Sequence, residues 1–192
     1  MSWRRTAKSK VLPGTRPKPN EKAARSDGPD FGSAIAVYQQ AELVLTAYEA
    51  SGGAVGSDKL RDIKVDLEEA IDLQLAVLAK TDDERRPPFA MLLCGLYRFL
   101  GGAHMYLEEY GPAVDCYESA RELGADMGFS SEVVQALNNM GRIAMQQGDA
   151  AEAARQLKRA VAGLDAETEA KFGREVRKNL ATAESAVRKR RT

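Results

Sequence analysis

Apolar residues recur every three or four positions through most of this chain, and the pattern divides it into helices separated by polar turns. From Phe31 to Ala50 the apolar positions are Ile35, Tyr38, Leu43, Leu45 and Tyr48, and the glycine-rich SGGAVGS segment (Ser51 to Ser57) ends that helix. Asp58 stands where it can cap the next one, whose apolar set is Leu60, Ile63, Leu67, Ala70, Ile71, Leu75 and Leu78. TDDERRPP, from Thr81 to Pro88, reads as a stop and a loop. Two helices then fit residues 89–127, and two more fit 130–164, with Ser130 or Ser131 as cap and Glu132 in the first turn. Leu137, Met140, Ile143 and Ala144 form the inner stripe of the first helix in that second pair. A last helix over 166–190 lines up Phe172, Val176, Leu180, Ala183 and Val187, and its polar other side suits the end of a stack.

Residues 1–30 follow a different rule. Pro13, Pro17, Pro19 and Pro29, with Gly14 and Gly28, exclude regular helix, and too few apolar residues are present to build a core. The expectation is an extended basic tail ahead of one helical domain, 31–192.

The two central helix pairs are alike. LGGAHMYLEEYGPAVDCYESA (Leu100 to Ala120) and MGRIAMQQGDAAEAARQLKRA (Met140 to Ala160) align at a constant offset of 40 residues. Gly101 matches Gly141, Ala113 matches Ala153, Tyr117 matches Leu157 and Ala120 matches Ala160. Small residues at 101 and 103 let a second helix approach closely, Pro112 suits a first helical turn, and Ala113, Tyr117 and Ala120 share one helix face. An internal period of this size marks a repeat architecture. Residues 31–80 fit either a degenerate third unit or an N-terminal cap.

This order resembles the tetratricopeptide repeat (TPR) family: a small residue in the first helix, an Ala–bulky–Ala set in the second, and the Gly148–Asp149 turn. The period is similar to that of the extended repeats of kinesin light chains and related adaptors. The resemblance covers residues 89–164 and implies a short right-handed α-solenoid of about seven antiparallel helices, whose first helices line a concave groove. On that face lie Arg98, Met105 and Tyr106 of the first unit, then Gln135, Asn138, Asn139, Arg142, Met145 and Gln146 of the second. Amides satisfy a peptide backbone, and a guanidinium can hold a carboxylate in two bonds. The resemblance gives Asn139, just before Met140–Gly141, the backbone-binding role. The first unit has Phe99 at that position, and Gly102 where the chaperone-tail-binding relatives carry Asn, which speaks against their carboxylate clamp.

Charge sharpens the choice of partner. The formal balance is zero, but residues 1–26 hold 8 Lys/Arg against one Glu, and residues 171–192 hold 8 against two acids. The body between them keeps 12 basic against 25 acidic residues. Basic ends of this kind favour an anionic surface, an acidic protein face before nucleic acid, because neither end interleaves aromatic and basic residues as an RNA-reading fold does. In the tail, Trp3 beside Arg4 and Arg5 is either a docking anchor or a solvated residue.

No residues set up a reaction. Phosphate loop, HExxH, nucleophile elbow and dinucleotide fingerprint are all missing from the sequence, and no cofactor or metal is expected. The lone His104 sits at a packing position, Glu108–Glu109 read as solvated turn residues, and Cys94 and Cys116 fit no zinc or redox spacing. With no apolar run of membrane-spanning length and no signal core, the expectation is an intracellular, cytoplasmic adaptor or scaffold subunit, with a cytoskeletal or ciliary assembly as one setting. The alternatives are an organellar ribonucleoprotein or nucleic-acid-associated subunit acting through its basic termini, and a mitochondrial address in the acid-poor first twenty residues.

Overall fold

The computed structural model describes residues 31–53 and 56–190, and among these no strand occurs. The expected N-terminal tail, with Trp3, Arg4 and Arg5, lies outside the described residues. Helices α1 (Phe31–Ala50) and α2 (Ser57–Leu78) pack as a pair, as do α3 (Arg86–Tyr106) with α4 (Tyr110–Met127), and α5 (Ser130–Gln146) with α6 (Ala150–Ala162). A short turn α7 (Ala166–Thr168), a π-helical stretch Glu169–Gly173 and α8 (Arg174–Lys189) follow. Each pair lies on the next: α2 packs on α3, α4 on α5 and α6 on α8, while α1 also touches α3.

The buried residues form three clusters along this row. Ile63, Leu67, Leu93 and Leu96 centre the first, between α1, α2 and α3. Tyr117, Val134, Leu137 and Ile143, joined by Val176, centre the second. Ala144, Ala153, Leu157 and Ala183 make the third, where α8 closes over α5 and α6. Removing apolar area of this kind from water is the main drive for a stack of amphipathic helices.

The 40-residue likeness in the sequence is also a likeness of backbone and packing. A Cβ added at Gly101 would come within 3.0 Å of the Tyr117 ring, and one at Gly141 within 2.6 Å of Leu157 Cγ. The glycines are therefore where the second helix of each pair lies against the first. The turns repeat bond for bond. Glu109 N–H donates to His104 O at 2.9 Å, and Asp149 N–H to Ala144 O at 2.8 Å; Glu108 N–H donates to Met105 O, and Gly148 N–H to Met145 O. Glu108 (φ 61°) and Gly148 (φ 78°) both take the left-handed conformation that closes the first helix.

Local details depart from the sequence expectations in five places. α3 begins at Arg86 and takes Pro87 and Pro88 into its first turn, where a missing N–H leaves no bond unmade. Asp58 is inside the first turn of α2 and bonds Arg61 at 2.7 Å; the capping position is Gly56. Ser130 caps nothing, since its hydroxyl donates to Asp165 at 2.5 Å, while Phe129 stands at the cap of α5. That bond, with those from Thr168, holds the Asp165 carboxyl down at about 2. The last helix is not continuous, because the chain widens at Glu169–Gly173, where Gly173 has no side chain to meet the Glu169 carboxylate and Arg177 donates back to it. Leu43, placed on the apolar stripe of α1, instead points outward and is 72% exposed.

Candidate functional site

A groove of about 550 Å³ runs across the first helices of the successive pairs. Phe99, Gly102 and Met105 of α3 form its floor together with Tyr117 of α4. Glu42, Thr46 and Glu49 of α1 bound one end, and Glu175, Lys178 and Asn179 of α8 bound the other. Gln135, Asn138, Asn139 and Arg142 of α5 lie between. The floor reaches so deep at α3 because Gly102 has no side chain: a Cβ there would stand 2.8 Å from Leu45 Cδ2.

Seven of the nine groove residues expected from the sequence are brought together here: Arg98, Met105, Tyr106, Gln135, Asn138, Asn139 and Arg142. Met145 and Gln146 are not. α8 covers that end of α5, so Met145 packs half-buried beside Leu180 and Ala183, and Gln146 is exposed at the helix end outside the groove lining.

Much of the polar lining is already paired. Arg98 donates to Glu132 and to the Tyr38 hydroxyl, both at 3.4 Å, and stacks over Phe99 at 4.6 Å. Arg142 donates to Asn139 Oδ1 at 3.2 Å and pairs with Glu49 at 3.7 Å, and Glu49 also accepts from the Tyr106 hydroxyl. Asn138 spends both ends of its amide, donating to Glu175 at 3.1 Å and accepting from Asn179 at 2.9 Å. Three carboxylates face three cations along the lining (Glu42, Glu49 and Glu175 against Arg98, Arg142 and Lys178), so the groove is polar without being strongly charged.

Tyr117 stands outside this pairing. It is 1% exposed, yet it lines the groove, and its hydroxyl makes no hydrogen bond among the described residues. The hydroxyl lies 3.7 Å from where a Gly102 Cβ would be, so the glycine leaves it open to the groove. Burial pushes the phenol well above its ordinary range and outweighs the opposite pull of Arg142 and Arg98, so the group stays a protonated donor.

The wall residues were the ones sequence reasoning missed. Glu42 and Glu49 are the only charged residues of α1 and stand seven apart, on one face of the helix. That signal was readable. Glu175 and Asn179, four apart, also share one helix face, but their aim depends on the π-helical stretch before them.

A second polar cluster ties α2 to the turn between α3 and α4. Lys64 donates to both Glu109 oxygens at 3.2 and 3.0 Å, and His104 Nδ1 lies 2.5 Å from Glu109 Oε2. Glu109 is therefore a bonded brace rather than the solvated residue the sequence suggested. Burial works to raise its carboxyl, but hydrogen bonds from Lys64 and His104 and their charges prevail and hold it below its usual value. Cys94 and Cys116 are unpaired thiols that burial pushes up to about 12, which leaves them poor nucleophiles. Among the described residues no cluster of His, Cys, Asp and Glu is placed to hold a metal ion, and no helix is long and apolar enough to cross a membrane. Compared with known proteins, the chain matches no family model, no curated protein and no solved structure.

Proposed function

We propose that this chain is a non-enzymatic adaptor or scaffold subunit, a short right-handed solenoid of tetratricopeptide-like pairs that holds a segment of a partner protein in its groove. The observation that carries the reading is the groove itself. First helices of successive pairs line it, and its polar side chains converge from α1, α3, α5 and α8. The recurrence of the Gly101–Tyr117 contact as Gly141–Leu157, with matching turns, supports stacked repeats as its origin. Buried thiols of raised pKa, and a histidine occupied by a structural carboxylate, supply no reactive group to the groove.

The test is affinity purification of the intact protein beside an Asn139→Ala/Arg142→Glu double variant, eluted across a salt series. A discrete protein set that is retained at moderate salt and lost in the variant is the expected result. A set that is rich in nucleic acid, leaves steeply with salt and ignores the variant would move the function to the basic termini.

A further inference from the structure

Resting on that reading, we infer that the groove takes its partner as an extended segment, whose main-chain carbonyl accepts a hydrogen bond from the Tyr117 hydroxyl through the gap above Gly102. Three observations lead there. The first is the unused hydrogen-bonding capacity. Among the described residues, the neutral groups of the lining left with no bond beyond its internal pairs include the Tyr117 hydroxyl, the Asn139 Nδ2, the Asn179 Oδ1 and the Gln135 Oε1. Donors and acceptors mixed in one cleft match the mixed amides of an extended backbone, whereas a helix has already spent its amides on itself.

The second is the shortage of apolar anchorage. A helix seats itself in a groove by apolar side chains at its i, i+3, i+4 and i+7 positions. Here most of the large apolar residues of the lining are themselves nearly covered: Leu45 is 7% exposed, Phe99 8% and Met105 3%, and Phe172 is half-buried. Little apolar surface is left for a helix to bury.

The third is charge. Arg98 and Arg142 stand beside Tyr117, but Glu132 and Glu49 already face them, and the lining is balanced overall. An acidic side chain would gain little net attraction there and would meet Glu49. A neutral carbonyl suits the protonated phenol better, and a hydroxyl this deeply buried discriminates strongly against a segment that leaves it unpaired.

The experiment selects phage-displayed random peptides on the full-length protein and measures the binding of a selected peptide to variants. Tyr117→Phe keeps the ring against Gly101 and removes only the donor; it is expected to weaken binding roughly fivefold to tenfold. Gly102→Ala, which covers the hydroxyl from the groove side, is expected to do the same and serves if the first variant folds poorly. Replacing the peptide amide whose carbonyl sits over Gly102 by an ester weakens the acceptor. It should cost the wild type a similar factor and the Tyr117→Phe protein nothing more.

Binding lost in Arg142→Glu but unchanged in both Tyr117→Phe and Gly102→Ala overturns this inference and leaves the groove reading standing. Selected peptides that ignore all three variants sink the groove reading as well. A selected peptide that binds as a helix by circular dichroism, or that competes with self-association of the protein, puts a different occupant in the groove and also overturns the inference. So does binding that strengthens in Trp3→Ala, which would place the chain's own tail there.

Discussion

The two repeated pairs share a skeleton and differ on their faces. Where α3 meets α4 and α5 meets α6, small residues and a bulky partner recur 40 residues apart with the same contacts. Where each pair faces something else, the likeness ends. Gly102 opens the groove floor in the first unit, and its counterpart Arg142 fills the groove in the second. Glu109 braces the first turn to α2 and to His104, whereas its counterpart Asp149 caps its own helix by accepting from Glu152 N–H at 2.9 Å. Packing between paired helices therefore tolerates little change, while the turn and the groove face differ freely between the two units.

The strongest way to break the comparison is at the bulky position. Leu157→Ala should cost about 2–5 kcal/mol, since a fully buried side chain against Gly141 leaves a cavity. Tyr117→Phe, at the matching position, should change stability by less than about 1 kcal/mol, because the hydroxyl it removes has no hydrogen-bond partner among the described residues. Denaturant unfolding of both variants checks this; equal losses would mean that the Tyr117 hydroxyl is bonded within the fold after all.

The turns offer a smaller exchange. Glu108 holds a left-handed conformation that Gly148 holds without strain. Glu108→Gly should stabilise by up to about 1 kcal/mol, and Gly148→Glu should destabilise by about 1–2 kcal/mol. A thermal midpoint that moves the same way in both variants would contradict the equivalence of the two turns.

The smallest effect expected is on pH dependence. Glu109 is held below its usual value in the folded state. Its contribution is thus present above the ordinary carboxylate range (about 4) and is lost as pH falls through the lowered value. Glu109→Gln should flatten part of the acid-side loss of stability, whereas Asp149→Asn should not act through Lys64 or His104. Midpoints measured from neutral to acidic pH separate the two.

How much of this was legible beforehand follows from the range of each interaction. Helix positions and the glycine–bulky contacts could be read because they depend on spacings of three, four and 40 along one chain. Pro87 and Pro88 read as loop in the sequence because a proline marks a helix start as readily as a helix stop, and only the packing of α3 decides between them. Ser130 reads as a cap in the sequence, but Asp165, 35 residues away, competes for its hydroxyl. The groove was half visible: the α5 amides stood out on one helix face, while the walls from α1 and α8 converge on them only through stacking. Tyr117 gave no sign of its open hydroxyl, since its ring occupies the position where Leu157 shows that any bulky core residue would serve.

The π-helical stretch at Glu169–Gly173 sets the aim of one wall of the groove. A π turn behaves as one residue inserted into an α-helix, and each residue turns the downstream face by about 100°. Glu175 and Asn179 meet Asn138 only because that extra residue has rotated them into place. The far wall is thus tuned by phase rather than by composition. Removing a single residue between 169 and 173 would swing its side chains away from α5 with no groove residue altered, so this end of the groove can be reshaped by a length mutation that a comparison of groove side chains would not register.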